Sequence, residues 1–139
     1  MGLFLQLKTD FDLGIVENFI SDYTIMCKTI ELLIEDLDKK TEYESSVSEL
    51  FRIFHNMKSA VSFLKLEPII KLATICKNVL EEARILQGPA TNEFIDWLLI
   101  VSNQLNKYRI NIENDDETFS AFESLITKLP IHLEKHVRS

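Results

Sequence analysis

The chain has few of the residues that interrupt helices, with three glycines and three prolines among 139 residues. This scarcity argues against a turn-rich β fold and favours long helices. No apolar run reaches the roughly 18 residues of a membrane-spanning helix, so we expect no membrane insertion. The first residues lack the basic region and length of a signal peptide, and Gln6 departs from the myristoylation pattern. We therefore expect a helical, cytoplasmic protein.

Basic residues are also few, 15 against 22 acidic ones, which leaves a net charge of −7. An acidic domain binds phosphate backbones poorly, so nucleic acid is not an expected partner. The only two cysteines, Cys27 and Cys76, fall among apolar positions of predicted helices, where a free thiol behaves as a small hydrophobe. We predict reduced core thiols and neither a disulfide nor a metal site. Because no glycine-rich phosphate loop is present, no ATP site is predicted.

Apolar residues recur at helical spacing along most of the chain. A chain of 139 residues with 46% hydrophobic content suits one domain with one core. We predict a leader over residues 1–10 and helices over 12–38, 42–66, 68–87, 91–109 and 116–137, the last interrupted at Pro130. Short loops imply antiparallel neighbours, so the predicted fold is an all-α, up-down four-helix bundle with an additional fifth C-terminal helix.

Local signals mark several of these boundaries. Asp10 and Asp12 are candidate N-caps for the first long helix. Thr41-x-x-Glu44 is a capping box, in which each side chain can bond the other residue's free backbone N–H, and we expect it to open the second helix. Pro68 suits the first turn of the third helix, because proline fits there and breaks a helix interior.

The second predicted helix carries the most informative residue, His55. One arc of its helical wheel is apolar and comprises Val47, Leu50, Phe51, Phe54, Met57, Val61 and Leu64. His55 falls just beyond the edge of this arc, and Lys58, Ser59 and Ser62 follow on the same side of the helix. A neutral imidazole nitrogen carries a free lone pair and can accept a phosphoryl group. Lys58, one turn on, is placed to offset charge on the phosphoryl oxygens.

The motif His-x-x-Lys followed by small residues in mid-helix resembles the phospho-acceptor motif of histidine-containing phosphotransfer (HPt) domains. Leu50-Phe51-Arg52 before the histidine, and Leu80-Glu81-Glu82-Ala83-Arg84 after it, are similar to the P1 domain of the chemotaxis histidine kinase. The resemblance covers roughly residues 12–110. It implies the same five-helix layout, with His55 as the phospho-acceptor of a two-component phosphorelay.

The resemblance also implies the partners. A histidine kinase or a phosphorylated receiver domain would donate to His55, and a receiver aspartate would accept the group. Mg²⁺ would belong to the partner, so the chain itself would need no cofactor. With no kinase core, the chain would be a phosphotransfer intermediate, and its classification as an enzyme is left open.

Three positions depart from the family's pattern. Ser59 and Lys65 stand where the family usually has glycine, four and ten residues after the histidine. Lys77 stands where the P1 domain has a glutamate that accepts a hydrogen bond from the histidine, and a lysine cannot accept one. Lys77 could instead help to hold a phosphorylated ring.

Other interpretations of the chain stay open. One is an HPt-fold interaction module that docks a receiver or kinase without carrying phosphate. Another is a fragment of a larger kinase. Without the family pattern, His55 would be interpreted as an ordinary helix-surface histidine.

Two further groups of polar residues invite a chemical interpretation. His132 and His136 lie four residues apart, as metal ligands on a helix would, but no third His or Cys ligand is nearby in the sequence. We predict surface histidines. The adjacent pairs Glu81-Glu82 and Asp115-Asp116 would diverge on a helix, so we predict solvated charge and a helix cap there.

Overall fold

The fold is built from helices. The computed structural model describes residues 1–135. Its five α-helices are α1 (Leu3–Asp10), α2 (Leu13–Glu35), α3 (Lys40–Phe63), α4 (Glu67–Arg84) and α5 (Asn92–Glu113). A short 3-10 helix spans Ser124–Thr127, and residues 1–135 contain no strand, only an isolated bridge between Ala90 and Glu134. The all-α prediction is therefore confirmed for the described residues.

Side chains cap the first turns of α2 and α5. The Asp12 carboxylate accepts hydrogen bonds from the backbone N–H of Gly14 at 2.9 Å and of Ile15 at 3.3 Å. The Thr91 hydroxyl oxygen accepts one from the N–H of Phe94 at 3.1 Å. Each cap gives a backbone donor of the first turn, which has no partner within the helix, a hydrogen-bond acceptor, and this explains why both helices begin there.

The predicted capping box at Thr41 and Glu44 is wrong. Helix α3 begins at Lys40, and its N-cap, Lys39, makes no side-chain cap hydrogen bond. Thr41 therefore lies inside the first turn, where its hydroxyl is no longer in the N-cap position. Glu42 in that turn places a negative charge near the positive end of the helix dipole.

Helices α3 and α5 both end in a residue with left-handed backbone conformation. Lys65 has φ 59° and Asp115 has φ 54°. After α3, the Lys65 N–H donates to the carbonyl of Ser62 at 3.2 Å, and the Leu66 N–H donates to that of Val61 at 3.0 Å. This pair of bonds defines a Schellman motif, which satisfies the last carbonyls of the helix and favours glycine at the left-handed position.

Helices α2 to α5 share one core. Helix α2 contacts α3 and α5, α4 contacts α3 and α5, and the interface between α3 and α4 is the most extensive. Two buried tyrosines tie helices together by hydrogen bonds to carbonyl oxygens: Tyr23 donates to Leu105 at 2.7 Å and Tyr43 to Ala83 at 2.9 Å. The largest fully buried side chains are Tyr23, Tyr43, Tyr108, Phe54, Phe94, Ile30, Ile34, Leu37, Leu50, Met57, Ile69 and Leu72.

The predicted leader over residues 1–10 is largely a helix, α1, which packs on α5 and α2. The loop that follows α5 holds its first turn. The Leu3 N–H donates to the Asp116 carbonyl at 2.7 Å, and the Leu5 N–H donates to the Asp115 carboxylate at 3.1 Å. Because this cap comes from residues more than a hundred positions away, no local signal marks the start of α1.

The predicted C-terminal helix over 116–137 is wrong within the described residues. Residues 117–135, which we call the strap, are mostly irregular, with one 3-10 turn at Ser124–Thr127. Positions 136 and 137 lie outside the described residues. Phe119 packs edge-on against Tyr108, with ring centroids 5.2 Å apart, and the Lys71 ammonium lies 4.3 Å from the centre of the Phe122 ring. The strap therefore contacts both α4 and α5.

Side chains of α5 explain why the strap is not helical. Asn111, Gln104 and Trp97 stand seven residues apart, so they lie along one face of α5 at every second turn. Their hydrogen bonds to the strap backbone are Ser120 N–H to Asn111 Oδ1 (2.7 Å), Gln104 Nε2 to the Ala121 carbonyl (3.1 Å), Glu123 N–H to Gln104 Oε1 (3.1 Å), and Trp97 Nε1 to the Ile126 carbonyl (3.0 Å). Backbone groups that an isolated helix would pair internally are thus satisfied by α5.

Candidate functional site

His55 lies near the middle of α3, on the side that faces solvent. The opposite side of the helix is buried and carries Tyr43, Ser46, Val47, Leu50, Ile53, Phe54, Met57 and Val61. Ser59 and Ser62 are exposed like His55, and Lys58 is half-buried. The helical wheel thus predicted the exposure of the imidazole correctly, because a continuous apolar stripe fixes which side of α3 faces the core.

The His55 ring is held by one aromatic neighbour. It lies nearly parallel to the Phe51 ring, with an interplanar angle of 14° and centroids 6.3 Å apart. Among the described residues, neither ring nitrogen makes a hydrogen bond. The lone pair of an imidazole nitrogen lies in the ring plane, and a parallel neighbour covers ring faces rather than ring edges. Because His55 is also exposed, a reacting group can approach its imidazole from solvent.

A cation from the next helix covers the Phe51 ring. Arg84, the last residue of α4, places its guanidinium carbon 4.2 Å from the centre of that ring. This is cation–π geometry, and it connects the C-terminal end of α4 to the residue one turn before His55. Phe51 and Arg84 belong to the two short motifs that resemble the P1 domain, but the sequence does not predict that their side chains meet. The spacing of two residues on different helices contains no direct signal of such a contact.

The stretch around His55 is basic in an otherwise acidic chain. Residues 50–66 contain Arg52, Lys58 and Lys65 and no carboxylate, whereas the whole chain has net charge −7. Arg52 pairs with Glu49, one turn earlier. Lys58 makes no ion pair with the described residues, so its charge is available to an anion at His55.

The structure brings the remaining predicted site residues together only in part. The Ser59 hydroxyl is 3.4 Å from the His55 carbonyl and donates to it, so it is directed at the helix backbone and not at the imidazole. Lys77 is half-buried on α4, the helix with the largest interface to α3. No hydrogen bond, ion pair or ring contact joins Lys77 to His55 among the described residues.

A groove of about 510 Å³ lies between α2 and α3 beside the histidine. We call it the α2–α3 groove; Asn56 and Ser59 form part of its lining, so it begins next to His55 on α3. Its walls are mainly apolar, and Phe63 at its edge is 59% exposed. Among residues 1–135, Asp22 is the one charged residue that lines it. An exposed aromatic beside an apolar groove is typical of a surface that contacts another molecule.

The structure also shows where the cysteines, the paired carboxylates and His132 lie. Cys27 and Cys76 are free and buried, as predicted; burial raises the pKa of Cys27 to about 12 and raises that of Cys76 well above the usual value. Glu81 and Glu82 are exposed. Asp115 does cap a helix, but the helix is α1. His132 is exposed, and His136 lies outside the described residues.

No protein-family model, curated protein or solved structure matches the chain. Within residues 1–135, every helix is either too short or too polar to cross a bilayer.

Proposed function

We propose that this chain is a histidine phosphocarrier of the HPt type, closest to the chemotaxis P1 domain. The observation that carries the proposal is His55 itself: a solvent-exposed imidazole in mid-helix, with both nitrogen edges unbonded among the described residues and Lys58 one turn on. The cyclic contacts of α2 with α3, α3 with α4, α4 with α5 and α5 with α2 support an up-down four-helix bundle as its framework.

The chemistry consists of two transfers. In the first, a nitrogen lone pair of neutral His55 attacks the phosphorus of the donor, and an N–P bond forms. The donor's bond to phosphorus breaks, and its electron pair leaves with the donor. In the second, a carboxylate oxygen of a receiver aspartate attacks phosphorus, and the N–P electron pair returns to the imidazole. The protein's contribution is position and charge, with Lys58 facing the phosphoryl oxygens.

The partner is a histidine kinase or a receiver domain, and it brings the carboxylate and Mg²⁺ of the second transfer. The α2–α3 groove supports this proposal, because an apolar contact beside His55 would hold the partner's reacting atom close to the imidazole. Cys27 and Cys76 are buried free thiols, which fits a reducing compartment, and we place the reaction in the cytoplasm.

A second candidate is an HPt-fold module that binds a receiver or kinase and carries no phosphate. Lys77 favours it, because a lysine at this position gives the imidazole no hydrogen-bond acceptor on α4. The groove and its exposed Phe63 would serve such a module equally well.

Labelling with a phosphodonor separates these functions. The protein is incubated with phosphoramidate or with a histidine kinase and ATP, and acid-labile, base-stable label is measured. We expect label on the wild type and on His132→Gln, the matched control for an exposed histidine, and none on His55→Gln. Lys58→Ala should be labelled more slowly, because it loses charge compensation but keeps the nucleophile. A wild-type protein that binds a receiver and takes no label would establish the second candidate.

A further inference from the structure

The guanidinium of Arg84 has one described contact within the protein, and this contact is with an aromatic ring. Its guanidinium lies on the Phe51 ring and makes no ion pair with the described residues, although Glu81 and Glu82 are close in sequence. The side chain is exposed at the end of α4. A guanidinium stacked on a ring keeps its N–H donors in its own plane, so the donors at its edge stay available.

The Phe51 ring brings this guanidinium into the neighbourhood of His55. One ring contact, at 4.2 Å, joins Arg84 to Phe51, and a second, at 6.3 Å between parallel rings, joins Phe51 to His55. Phe51 is half-buried and lies one helical turn before His55 on α3, so the helix keeps these two residues side by side. The three side chains form a connected group at the interface of α3 and α4.

We propose that Arg84 binds the phosphoryl oxygens of phosphorylated His55, and that the Phe51 ring holds it in reach. The inference rests on the proposed function and adds a residue to its site. A phosphoryl group brings roughly two negative charges and three strong acceptor oxygens. Lys58 offers a point charge on α3, whereas Arg84 offers a planar fork that matches two oxygens at once. The phosphorylated form would thereby link α3 to α4.

Arg52 provides a matched control within the same surface. It is also an arginine and precedes His55 by three residues on α3, but its guanidinium is already paired with Glu49. If any nearby positive charge sufficed, Arg52 and Arg84 would contribute alike. If the contact of Arg84 with the Phe51 ring matters, changes at Arg84 and Phe51 will alter the pKa of the phosphoryl group, and a change at Arg52 will not.

The experiment measures the phosphoryl group directly. Wild type, Arg84→Gln, Arg84→Lys, Phe51→Leu and Arg52→Gln are phosphorylated with phosphoramidate, and the phosphohistidine signal is titrated by ³¹P NMR. A nearby cation lowers the pKa of a phosphoryl group, so we expect Arg84→Gln to raise it by about 0.5 or more. Phe51→Leu and Arg84→Lys should each raise it in part, the second because lysine keeps the charge but lacks the planar fork, and Arg52→Gln should leave it unchanged.

The outcomes separate this inference from the proposed function. If the wild type forms no phosphohistidine with phosphoramidate or with a kinase, the proposed function fails and the role of Arg84 fails with it. If phosphohistidine forms but its phosphoryl pKa is the same in wild type and Arg84→Gln, only the role of Arg84 is overturned. A larger change in Arg52→Gln than in Arg84→Gln would overturn it as well. Thermal melting of each variant shows whether a changed pKa comes from a changed fold.

Discussion

Lys65→Gly should stabilise the protein, although it removes a whole side chain. Lys65 follows α3 with φ 59°, in the left-handed region, and its N–H and that of Leu66 complete the Schellman motif. This conformation brings Cβ of a non-glycine residue close to the following carbonyl oxygen and costs about 1–2 kcal/mol. Glycine, which has no Cβ, adopts this backbone conformation without that cost.

The magnitude follows from two opposing terms. Glycine removes the cost of the left-handed conformation. It also has greater conformational freedom in the unfolded chain, which lowers the free energy of unfolding by about 0.5–1 kcal/mol. Lys65 is exposed and makes no ion pair among the described residues, so no interaction of its charge is lost there. The free energy of unfolding should therefore rise by about 0.5–1 kcal/mol, which corresponds to a few degrees in Tm for a chain of this size.

Urea unfolding of wild type, Lys65→Gly and Lys65→Ala measures this effect. Alanine removes the same charge and length but keeps a Cβ in the left-handed conformation, so Lys65→Ala should match the wild type. A glycine variant no more stable than the alanine variant would refute the reasoning, because the backbone angle would then contribute nothing. Asp115→Gly provides a contrast. It removes the same cost of a left-handed backbone conformation, but it also removes the carboxylate that accepts a hydrogen bond from the Leu5 N–H.

Three other predictions follow from the packing. Gln104→Leu removes both hydrogen bonds to the strap, at a cost of about 1–3 kcal/mol, and should speed hydrogen exchange of residues 119–126 while α3 stays protected. Phe54→Ala should lower the free energy of unfolding by about 3–5 kcal/mol, because Phe54 is fully buried, whereas His55→Gln should melt like the wild type. Because Cys27 has its pKa raised from 9.0 to about 12 in the fold, the unfolded chain loses this proton first as pH rises. Stability is thus kept below pH 9 and lost between pH 9 and 12, by about 1 kcal/mol at pH 10 from this thiol, and urea unfolding of Cys27→Ala should show a shallower decline.

The four long helices could be predicted from the sequence because their signals are local. A continuous apolar stripe with a period of 3.6 residues identifies α2 to α5, and the caps at Asp12 and Thr91 lie within a few residues of the amides they bond. The exposure of His55 follows from the same periodicity. Where a helix begins with no side-chain cap, as α3 does at Lys40, the predicted start was in error by two residues.

The two ends of the chain could not be predicted, because distant residues determine them. Phe119, Phe122 and Ile126 suit a helix by spacing, but the backbone around them is bonded by Asn111, Gln104 and Trp97 of α5. Helix α1 depends in the same way on the loop after α5.

The contact between Phe51 and Arg84 is also a product of the tertiary fold, since it joins two helices. A periodicity argument identifies which residues are exposed, but it does not identify which exposed residues meet across an interface.

Localising the phosphoryl group tests the central claim most directly. The protein is phosphorylated at neutral pH by phosphoramidate or a histidine kinase, kept from acid, cleaved, and sequenced by electron-based fragmentation that preserves the N–P bond. We predict that the added phosphoryl mass falls on His55 alone, and that it disappears when a receiver domain with Mg²⁺ is added. Phosphoryl mass on His132 or His136 with none on His55, or no phosphoryl mass at all, would contradict the claim that His55 carries the phosphoryl group.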